Sequence, residues 1–551
     1  MMASPNPEFV NETETAPPAD PLPDKAALRL HLGAWNYYFL IKIVLFWREL
    51  IGFHPIENLA FAAFLLAPAN SPAWRRIKAW LALVVGAALL YYDSWLPAAS
   101  RVFSQTQLLS NFSFAYMLEL MGRMINWQLI ALLVLGWFVY RLAAYYLRVG
   151  VLTLAGLLAL SLSSGRQVLL QDGASAGRPA TASATLSKEK SLDILLQEFY
   201  AKEALRSVRF QPAADGAPAF DVIFLHICSL SWDDLQATGL DVHPLWQRFD
   251  FVFHHFNSAT SYSGPAAIRI HRAPCGQSPN KGLYSATTQQ CYLMPSLKQA
   301  GFEPNLAFNH DGHFDDFLSL VRAQGVSAEL MPLNGIAMPQ RSFDDSPVYD
   351  DAAVLGRWLD KRNKSSTPRV ALYYNTISLH DGNRILNGAG AGKSSSATYK
   401  ARLEKLLTEL DDFMRQLERS GRRAVVVLLP EHGAALRGDK MQISGLRDIA
   451  TPAITTVPVG IKVIGPDTHR QGEAAHVNDA TSYTAVSHII ARMLAESPFG
   501  GAGFSADNYL NNLPTTDYLA ETDNGIMMQR AGKYFLRQDK EDWKPYDAQQ
   551  R

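Results

Sequence analysis

The sequence has little cysteine and no excess of charge of either sign. Its 551 residues include three cysteines, and Lys+Arg equals Asp+Glu at 51 each. A balanced charge argues against a nucleic-acid partner, and the sequence contains neither a nucleic-acid-binding motif nor an internal repeat. An odd cysteine count is compatible with a reducing compartment, or with an oxidising one that holds one disulfide and one committed thiol. The length is sufficient for a membrane region and one large soluble domain.

The N-terminus lacks both a basic n-region and apolar periodicity. Residues 1–33 are rich in Pro, Glu, Thr, Ala and Asn. This composition is typical of a disordered tail and argues against a cleavable signal peptide.

Long apolar runs are confined to the part of the chain before about residue 165. Three of them approach the roughly 20 residues that cross a bilayer as a helix, and two weaker runs precede them. We therefore expect a helical transmembrane domain over 34–164 with about five spans. In the alternative interpretation, the two weak runs form one re-entrant hairpin and three spans remain. The strong runs are 77–97, 125–145 and 148–164, and the weak ones are 35–53 and 56–70.

Positive charges set the expected orientation. Arg75, Arg76 and Lys78 fall between the second and third runs, and Arg141 and Arg148 flank the turn between the last two. If these turns are cytoplasmic, the tail is cytoplasmic and everything after residue 165 lies outside. Three spans with a re-entrant pair give the same result. We thus expect a multi-pass protein of the bacterial inner membrane with its soluble part in the periplasm.

The soluble half alternates apolar strand runs with helical segments. A linker and an amphipathic helix (191–206) are predicted within 165–216, and a catalytic domain over 217–551. Near-continuous apolar strands separated by helices favour an α/β fold, an αβα sandwich with a mainly parallel sheet. The predicted strands are 220–228, 249–256, 304–310, 369–377, 423–433 and 457–465, and the predicted helices between and after them include 399–419 and 479–495.

Chemically reactive residues follow three of these strands. Cys228 ends the first, His380 follows the fourth, and Glu431 and His432 come at the end of the fifth. Each alone has an ordinary structural explanation, such as a small buried side chain or a polar loop start. Ligands bind at the carboxyl ends of such strands, and Cys, Glu and His form a plausible set of zinc ligands. A thiolate argues against magnesium or calcium.

Ser263 lies in a Ser/Thr-rich turn that leads into a predicted helix. A serine before Gly-Pro is commonly a turn or cap residue. A hydroxyl at a helix N-terminus also faces free backbone N–H groups, which is a favourable place for phosphate. If Ser263 were the fourth zinc ligand, the pKa of its hydroxyl would fall and a nucleophile would become accessible.

Other histidines are expected to be structural. The run from His310 to Asp316 could form a second metal site, but a structural or substrate-lining role is favoured because no strand-end partner accompanies it. Packing or surface roles are expected for His254, His255 and His271.

Five motifs give the chain a resemblance to the phosphoethanolamine transferases of the alkaline phosphatase superfamily, most closely to the branch that acts in bacterial cellulose biosynthesis. The resemblance extends over nearly the whole chain. The motifs are HICSLSWDDL (226–235), FNSATSYSGPAAIRIHRAPCGQ (256–277), NHDGHFDDF (309–317), ISLHDGN (377–383) and PEHGAALRGDKMQISGLRD (430–448).

The resemblance implies roles for individual residues. Ser263 would accept the phosphoethanolamine group and bind zinc (Zn²⁺) together with Cys228, Glu431 and His432. His380 would take part in catalysis, Tyr262 and Arg447 would bind substrate, and Cys275 and Cys291 would form a disulfide. The lipid A-modifying branch carries a glutamate, an Asp-His pair and a threonine nucleophile at the positions of Cys228, Glu431-His432 and Ser263. These differences favour the cellulose branch.

The implied reaction moves phosphoethanolamine from phosphatidylethanolamine to glucosyl 6-hydroxyls of nascent cellulose, with cellulose synthase complex subunits as partners. One alternative is a transferase or hydrolase acting on another envelope glycan or lipid. A sulfatase would need a C-x-P-x-R motif, which neither Cys228 nor Cys275 provides. The other alternative is a scaffold subunit of the cellulose synthase complex.

Overall fold

A computed structural model of the chain describes most of the sequence. Nearly all of the predicted tail (1–33) lies outside the described residues, and side chains are left undescribed over 163–190. The described ranges are 32–48, 51–69, 71–94, 112–125, 127–174, 181–214, 216–439, 441–466, 468–501, 503–538 and 542–547.

The chain forms two compact units. The first combines Met1–Pro97 with Trp127–Gly177, and the second combines Ala98–Asn126 with Arg178–Arg551. The second unit thus includes a segment from the middle of the predicted transmembrane domain, which sequence analysis did not anticipate.

Seven helices precede the first strand in the described part of the chain. All five apolar runs form helices, and most of the predicted linker is helical as well, since α6 continues to residue 174 and α7 starts at 181. The helices are α1 (Trp35–Trp47), α2 (Pro55–Leu66), α3 (Pro72–Asp93), α4 (Phe114–Met124), α5 (Trp127–Tyr146), α6 (Val149–Ala174) and α7 (Thr181–Ala204).

Among the described helices, α5 alone is both long and apolar enough to cross a bilayer. It has 20 residues, and no part of its apolar stretch is buried against the rest of the protein. The apolar helix α2 and the first part of α6 are shorter.

A buried ion pair accommodates the charge in the first apolar run. Lys42 of α1 pairs with Asp93 at the end of α3, and both side chains are almost fully buried. Asn58 of α2 connects the two, since its Oδ1 accepts from Lys42 Nζ at 2.8 Å and its Nδ2 donates to Asp93 Oδ2 at 2.9 Å. A buried charge is tolerated when it is paired and hydrogen-bonded, so Lys42 is compatible with an apolar helix.

The second unit is built on a seven-stranded sheet. All six predicted strands are confirmed, and a short edge strand, β11, was not predicted. The sheet strands are β1 (Asp221–Ile227), β2 (Phe251–Asn257), β3 (Glu303–Phe308), β6 (Val370–Thr376), β8 (Ala424–Pro430), β9 (Thr456–Ile464) and β11 (Ala475–Val477). Their order is β11-β2-β9-β8-β1-β6-β3, and β9 runs antiparallel to its neighbours β2 and β8.

Strand β1 lies inside this sheet, between β8 and β6. In the register, Val222 lies opposite Ala371 of β6 on one side and Val425 of β8 on the other. Alternate residues of β1 enter two separate cores: Val222 and Phe224 enter one and Ile223 and Leu225 the other. The predicted αβα sandwich with a mainly parallel sheet is therefore confirmed.

Eight helices follow β1 in the described residues. The Val222 core is covered by α9, α10, α11 and α15, and the Ile223 core by α8, α12 and α13. The helices are α8 (Trp232–Thr238), α9 (Ser263–His271), α10 (Leu293–Gln299), α11 (Phe317–Ala323), α12 (Asp351–Asn363), α13 (Ser395–Arg419), α14 (Pro452–Thr455) and α15 (Tyr483–Ala495).

Shorter sheets complete the unit and were not predicted. The largest is a four-stranded antiparallel sheet near the C-terminus. Its strands are β13 (Leu519–Thr522), β14 (Gly525–Arg530), β15 (Lys533–Gln538) and β16 (Lys544–Tyr546), and two-residue strands elsewhere are β4 (Gln340–Arg341), β5 (Pro347–Val348), β7 (Arg384–Ile385), β10 (Arg470–Gln471) and β12 (Phe504–Ser505).

The predicted amphipathic helix forms the C-terminal half of α7. Its apolar residues Leu192, Leu196 and Phe199 pack against Leu519 and Met528 of the C-terminal sheet. The apolar face of this helix therefore packs against the rest of the second unit.

Candidate active site

The residues after β1, β6 and β8 meet at one edge of the sheet. Cys228 N donates to Thr376 O at 2.9 Å, and Glu431 N donates to Ile227 O at 2.9 Å, so the strand ends are level. Because parallel neighbours end at the same edge, side chains from distant parts of the sequence are brought together there.

Three buried side chains converge into a cluster at this edge. One ligand atom each of Cys228, Glu431 and His432 lies within 4.8 Å of the others, and all three residues are buried. Cys228 Sγ lies 3.9 Å from His432 Nε2, which in turn lies 3.7 Å from Glu431 Oε2. Three of the four residues that the sequence predicted as zinc ligands are therefore adjacent.

Ser263 joins this cluster from the opposite direction. It is the first residue of α9 and is partly exposed. Its Oγ lies 3.4 Å from both Cys228 Sγ and His432 Nε2. At a helix start, backbone N–H groups have no intrahelical partner and the helix dipole favours negative charge, which suits an incoming phosphoryl group.

The backbone fixes the orientation of the His432 ring. Its Nδ1 lies 2.9 Å from Gly433 O, so Nδ1 carries the proton and donates, which leaves the lone pair of Nε2 facing the cluster. Metal-binding histidines commonly have their second nitrogen held in this way.

Glu431 is held through one oxygen. Its Oε1 accepts from Asn375 Nδ2 at 2.6 Å, whereas its buried Oε2 has no hydrogen-bond partner among the residues that the structure describes. A buried carboxylate oxygen without a partner is costly, and a cation beside it removes that cost.

The electrostatics of the cluster also favour a cation. Burial, followed by the charge of Glu431, raises the pKa of Cys228 to about 12. Burial likewise raises the pKa of the Glu431 carboxyl. A metal ion would offset both penalties, because thiolate and carboxylate are the charged forms that coordinate it. A soft thiolate with imidazole and carboxylate is a donor set that fits zinc.

The other predicted residues surround the cluster. Arg447 Nη1 donates to Ser229 Oγ at 2.9 Å and lies 3.3 Å from His432 Nδ1. Tyr262, directly before α9, is 40% exposed and its hydroxyl donates to Asp448 Oδ1 at 3.3 Å. Tyr262 is exposed and Arg447 is half-buried, so both side chains are accessible to solvent.

His380 follows β6 and its ring nitrogen Nδ1 lies 2.6 Å from Asp381 O. Burial, followed by the charge of Arg447, lowers the pKa of His380 to about 4, so its ring is neutral at neutral pH. Buried Arg402 of α13 fixes the loop, since its Nη1 donates to Ser378 O at 2.7 Å. The imidazole ring of His380 is thus held in place through Nδ1, and its Nε2 does not take part in the contact with Asp381 O.

Asn375, which the sequence did not reveal as part of the site, lies between two histidines and the cluster. Asn375 Oδ1 accepts from His310 Nε2 at 2.8 Å, and its Nδ2 is shared between Glu431 and His226. Its only signal was a polar residue in an otherwise apolar strand. His310, from the run considered as a second metal site, belongs to this support, which agrees with the structural role favoured for it.

The remaining predicted features lie away from the cluster. Cys275 and Cys291 form the disulfide, and Cys228 is the free, buried cysteine. His271 is buried, whereas His254 stacks on Trp232 and lies 3.0 Å from His476.

The fold and the cluster together define the chain as an α/β protein with a strand-end site suited to a metal ion. The chain also matches a family described as cellulose biosynthesis protein BcsG, with the N-terminal domain over residues 35–162 and the C-terminal domain over residues 176–543. It therefore belongs to the BcsG family of cellulose biosynthesis proteins.

Two relatives carry the same description. The protein of Escherichia coli (strain K12) is 40% identical over 549 residues, covering 94% of this chain and 96% of that protein. The protein of Salmonella typhimurium (strain LT2) is 40% identical over 543 residues, with the same shares covered.

Solved structures are more distant. A protein in the alkaline phosphatase superfamily from Vibrio parahaemolyticus is 12% identical with a TM-score of 0.47, covering 64% of this chain and 88% of that one. At this identity and TM-score the likeness carries no information on activity.

Proposed function

We propose that the protein is a zinc-dependent phosphoethanolamine transferase that moves phosphoethanolamine from phosphatidylethanolamine to glucosyl 6-hydroxyls of nascent cellulose, through a covalent intermediate on Ser263. The convergence of Ser263 Oγ with Cys228 Sγ and His432 Nε2, at 3.4 Å from each, is the observation that carries the proposal. Membership of a cellulose biosynthesis family supports the acceptor.

Cys228, Glu431 and His432 would hold the zinc ion, with Ser263 completing the set. Bound there, zinc would supply positive charge that favours the deprotonated hydroxyl of Ser263 and offsets charge on the transferred group.

The chain's own residues account for the remaining chemistry. Ser263 Oγ attacks phosphorus of the donor lipid, diacylglycerol leaves with the electron pair of the broken P–O bond, and phosphoethanolamine stays on the serine. The free N–H groups at the start of α9 and the guanidinium of Arg447 bind its oxygens. A glucosyl hydroxyl then attacks the same phosphorus and displaces Ser263, while His380 exchanges the proton of the attacking or leaving oxygen.

The proposal includes a place for the protein in the cell envelope. Helices α1, α2, α3, α5 and α6 would form five spans of the inner membrane, within a transmembrane domain over 34–164. The catalytic domain over 217–551, joined through 165–216, would lie in the periplasm. There the donor lipid, the emerging polymer and subunits of the cellulose synthase complex are all within reach.

Replacing the nucleophile tests the reaction. With Ser263→Ala in the full-length protein, we expect ethanolamine transfer to a cello-oligosaccharide to fall to background, and the mass of a phosphoethanolamine adduct on the protein to disappear. The exposed Ser285 offers a matched control, because Ser285→Ala should leave both unchanged. Undiminished transfer in the Ser263→Ala protein would refute the assignment, and release of free phosphoethanolamine without transfer would favour a hydrolase.

Metal analysis tests the site independently of the reaction. We expect purified full-length protein to contain about one zinc ion for each chain and the Cys228→Ser variant to lose it, since an alcohol is a poorer zinc ligand than a thiolate. Equal zinc contents in the two proteins would show that the cluster is not the metal site.

A further inference from the structure

Helix α4 carries an exposed apolar stripe. Its members, which we call the α4 stripe, recur at helical spacing on one face and reach one residue beyond the helix. They are Phe114 (75% exposed), Met117 (37%), Leu118 (52%), Met121 (58%) and Ile125 (38%). A contiguous apolar row of this length on a protein surface marks an interaction site rather than ordinary exposure.

The opposite face of α4 is fixed to the catalytic unit by charge. Arg123 donates from Nη1 to Asp381 Oδ2 at 2.7 Å and from Nη2 to Asp381 Oδ1 at 2.9 Å. Tyr116 OH donates to the same carboxylate at 2.9 Å, and Glu119 Oε1 accepts from Ser395 N, at the start of α13, at 2.9 Å. Bidentate Arg–carboxylate pairs are geometrically demanding, so α4 is held in one orientation.

These contacts reach both loops that carry substrate residues. Asp381 is the neighbour of His380. Gly445, two residues before Arg447, has φ +83°, and a Cβ there would lie 2.9 Å from Arg123 Nη1 and 3.0 Å from Asp381 Oδ2. Arg123 therefore lies where the two loops meet, and the close approach leaves no room for a side chain at position 445.

The chain itself indicates what covers the α4 stripe. Ile125 and Asn126 alone separate α4 from α5, the helix that is long and apolar enough to cross a bilayer. Two residues span at most about 10 Å between the helix ends, even when fully extended. Helix α5 begins with Trp127, a residue type enriched at the membrane–water interface. If α5 crosses the membrane, the end of α4 lies at the bilayer surface.

We propose that the α4 stripe inserts into the interfacial layer of the lipid bilayer and so fixes the catalytic site at the membrane surface. The occupant is lipid, at the boundary between headgroups and acyl chains, where amphipathic helices bury their apolar face. This role of the stripe rests on the proposed function, in which the donor is a bilayer lipid and the catalytic site must therefore lie close to the membrane surface. The insertion itself does not depend on that reaction.

A label on the stripe tests the insertion directly. Cys228 is buried and Cys275 is paired with Cys291, so a Leu118→Cys variant of the full-length protein in liposomes can be labelled selectively with a fluorophore. We expect phosphatidylcholine spin-labelled near the headgroup to quench this fluorophore.

A matched control lies at the opposite edge of the sheet. Val242, 77% exposed, precedes β2 on the side of the strand starts, and a fluorophore on Val242→Cys should not be quenched by lipid. A label at position 118 that is unquenched by lipid but reached by aqueous iodide overturns the proposal. A label shielded from both also overturns it, and indicates that protein covers the stripe.

Activity on two donors provides a second readout. With Leu118→Glu and Met121→Glu combined, we expect kcat/KM for bilayer phosphatidylethanolamine to fall at least about tenfold, because two apolar anchors are replaced by charge. The value for a water-soluble short-chain donor should be unchanged, as should both values for Val242→Glu. Equal losses on the two donors would refute the membrane role. If the wild-type protein transfers phosphoethanolamine from neither donor, the proposed function is refuted. The quenching experiment then still shows whether the α4 stripe inserts into the bilayer.

Discussion

Replacing Asn375 by alanine should weaken zinc binding without removing a metal ligand. Asn375 Nδ2 donates to Glu431 Oε1 at 2.6 Å, and both residues are fully buried. The amide fixes Oε1, and Oε2, which lies 3.7 Å from His432 Nε2, would then be presented to a bound metal ion. In Asn375→Ala, the Oε1 atom of Glu431 loses this hydrogen-bond donor, and the carboxylate is no longer held in one orientation.

The size of the effect follows from that hydrogen bond. A hydrogen bond to a charged group contributes about 1.5–3 kcal/mol, and each 1.4 kcal/mol corresponds to about a tenfold change in an equilibrium constant. Residues that orient metal ligands typically change metal affinity by about 10–100-fold when replaced. The two estimates agree, so we expect the zinc affinity of Asn375→Ala to fall by about one to two orders of magnitude.

The measurement is a competition of full-length protein with a zinc chelator of known affinity. Asn309→Ala provides the matched control, because Asn309 is also fully buried at the end of a neighbouring strand. Its Nδ2 donates to Ser378 Oγ at 2.8 Å, whereas that of Asn375 donates to Glu431. Both variants should lose stability to thermal unfolding, and only Asn375→Ala should lose zinc affinity. Equal zinc affinities for Asn375→Ala and wild type, or equal losses in both variants, would refute the positioning role.

Two further predictions concern stability. Arg123→Met should lower the free energy of unfolding by about 3 kcal/mol, because it leaves Asp381 as an unpaired, mostly buried charge. Adding Asp381→Asn should recover most of this loss. Thermal unfolding of the two variants and of wild type measures both effects. Burial acts to raise the pKa of Asp381, but the hydrogen bonds and charge of Arg123 outweigh it and hold the pKa at about 2. The pair therefore stabilises the fold fully above about pH 4 and loses this effect as the pH falls towards 2, a dependence that Asp381→Asn should abolish. Replacing Cys275 and Cys291 by alanine together should cost about 3 kcal/mol, and a reducing agent should then have no further effect on the unfolding temperature.

Local sequence patterns were sufficient to predict the sheet. Strands such as Val370–Thr376 are nearly continuous apolar runs, and such runs separated by helices predict a buried parallel sheet. The cluster could be predicted for the same reason, since Cys228 and Glu431-His432 directly follow two such strands. Position at a strand end was enough to bring them to one edge.

Features that depend on distant packing could not be predicted. Asn375 occupies a strand position like any other, and nothing in the run reveals that its neighbour is Glu431, 56 residues away. Helix α4 resembles a short link between apolar runs, yet Arg123 binds Asp381, 258 residues along the chain. The strands of the C-terminal sheet, such as Gly525–Arg530 and Lys533–Gln538, are too mixed in polarity to stand out.

The position of Cys228 bears on how the chain can mature in an oxidising compartment. Three cysteines allow three pairings, and two of them would use Cys228. Either of these would draw the end of β1, which lies between β8 and β6, out of register with both neighbours. Once the sheet has formed, the thiol is fully enclosed, and only Cys275 and Cys291 remain able to pair. If the sheet assembles before any disulfide forms, burial of Cys228 shields this thiol from oxidation and leaves Cys275–Cys291 as the one pairing open to the three cysteines.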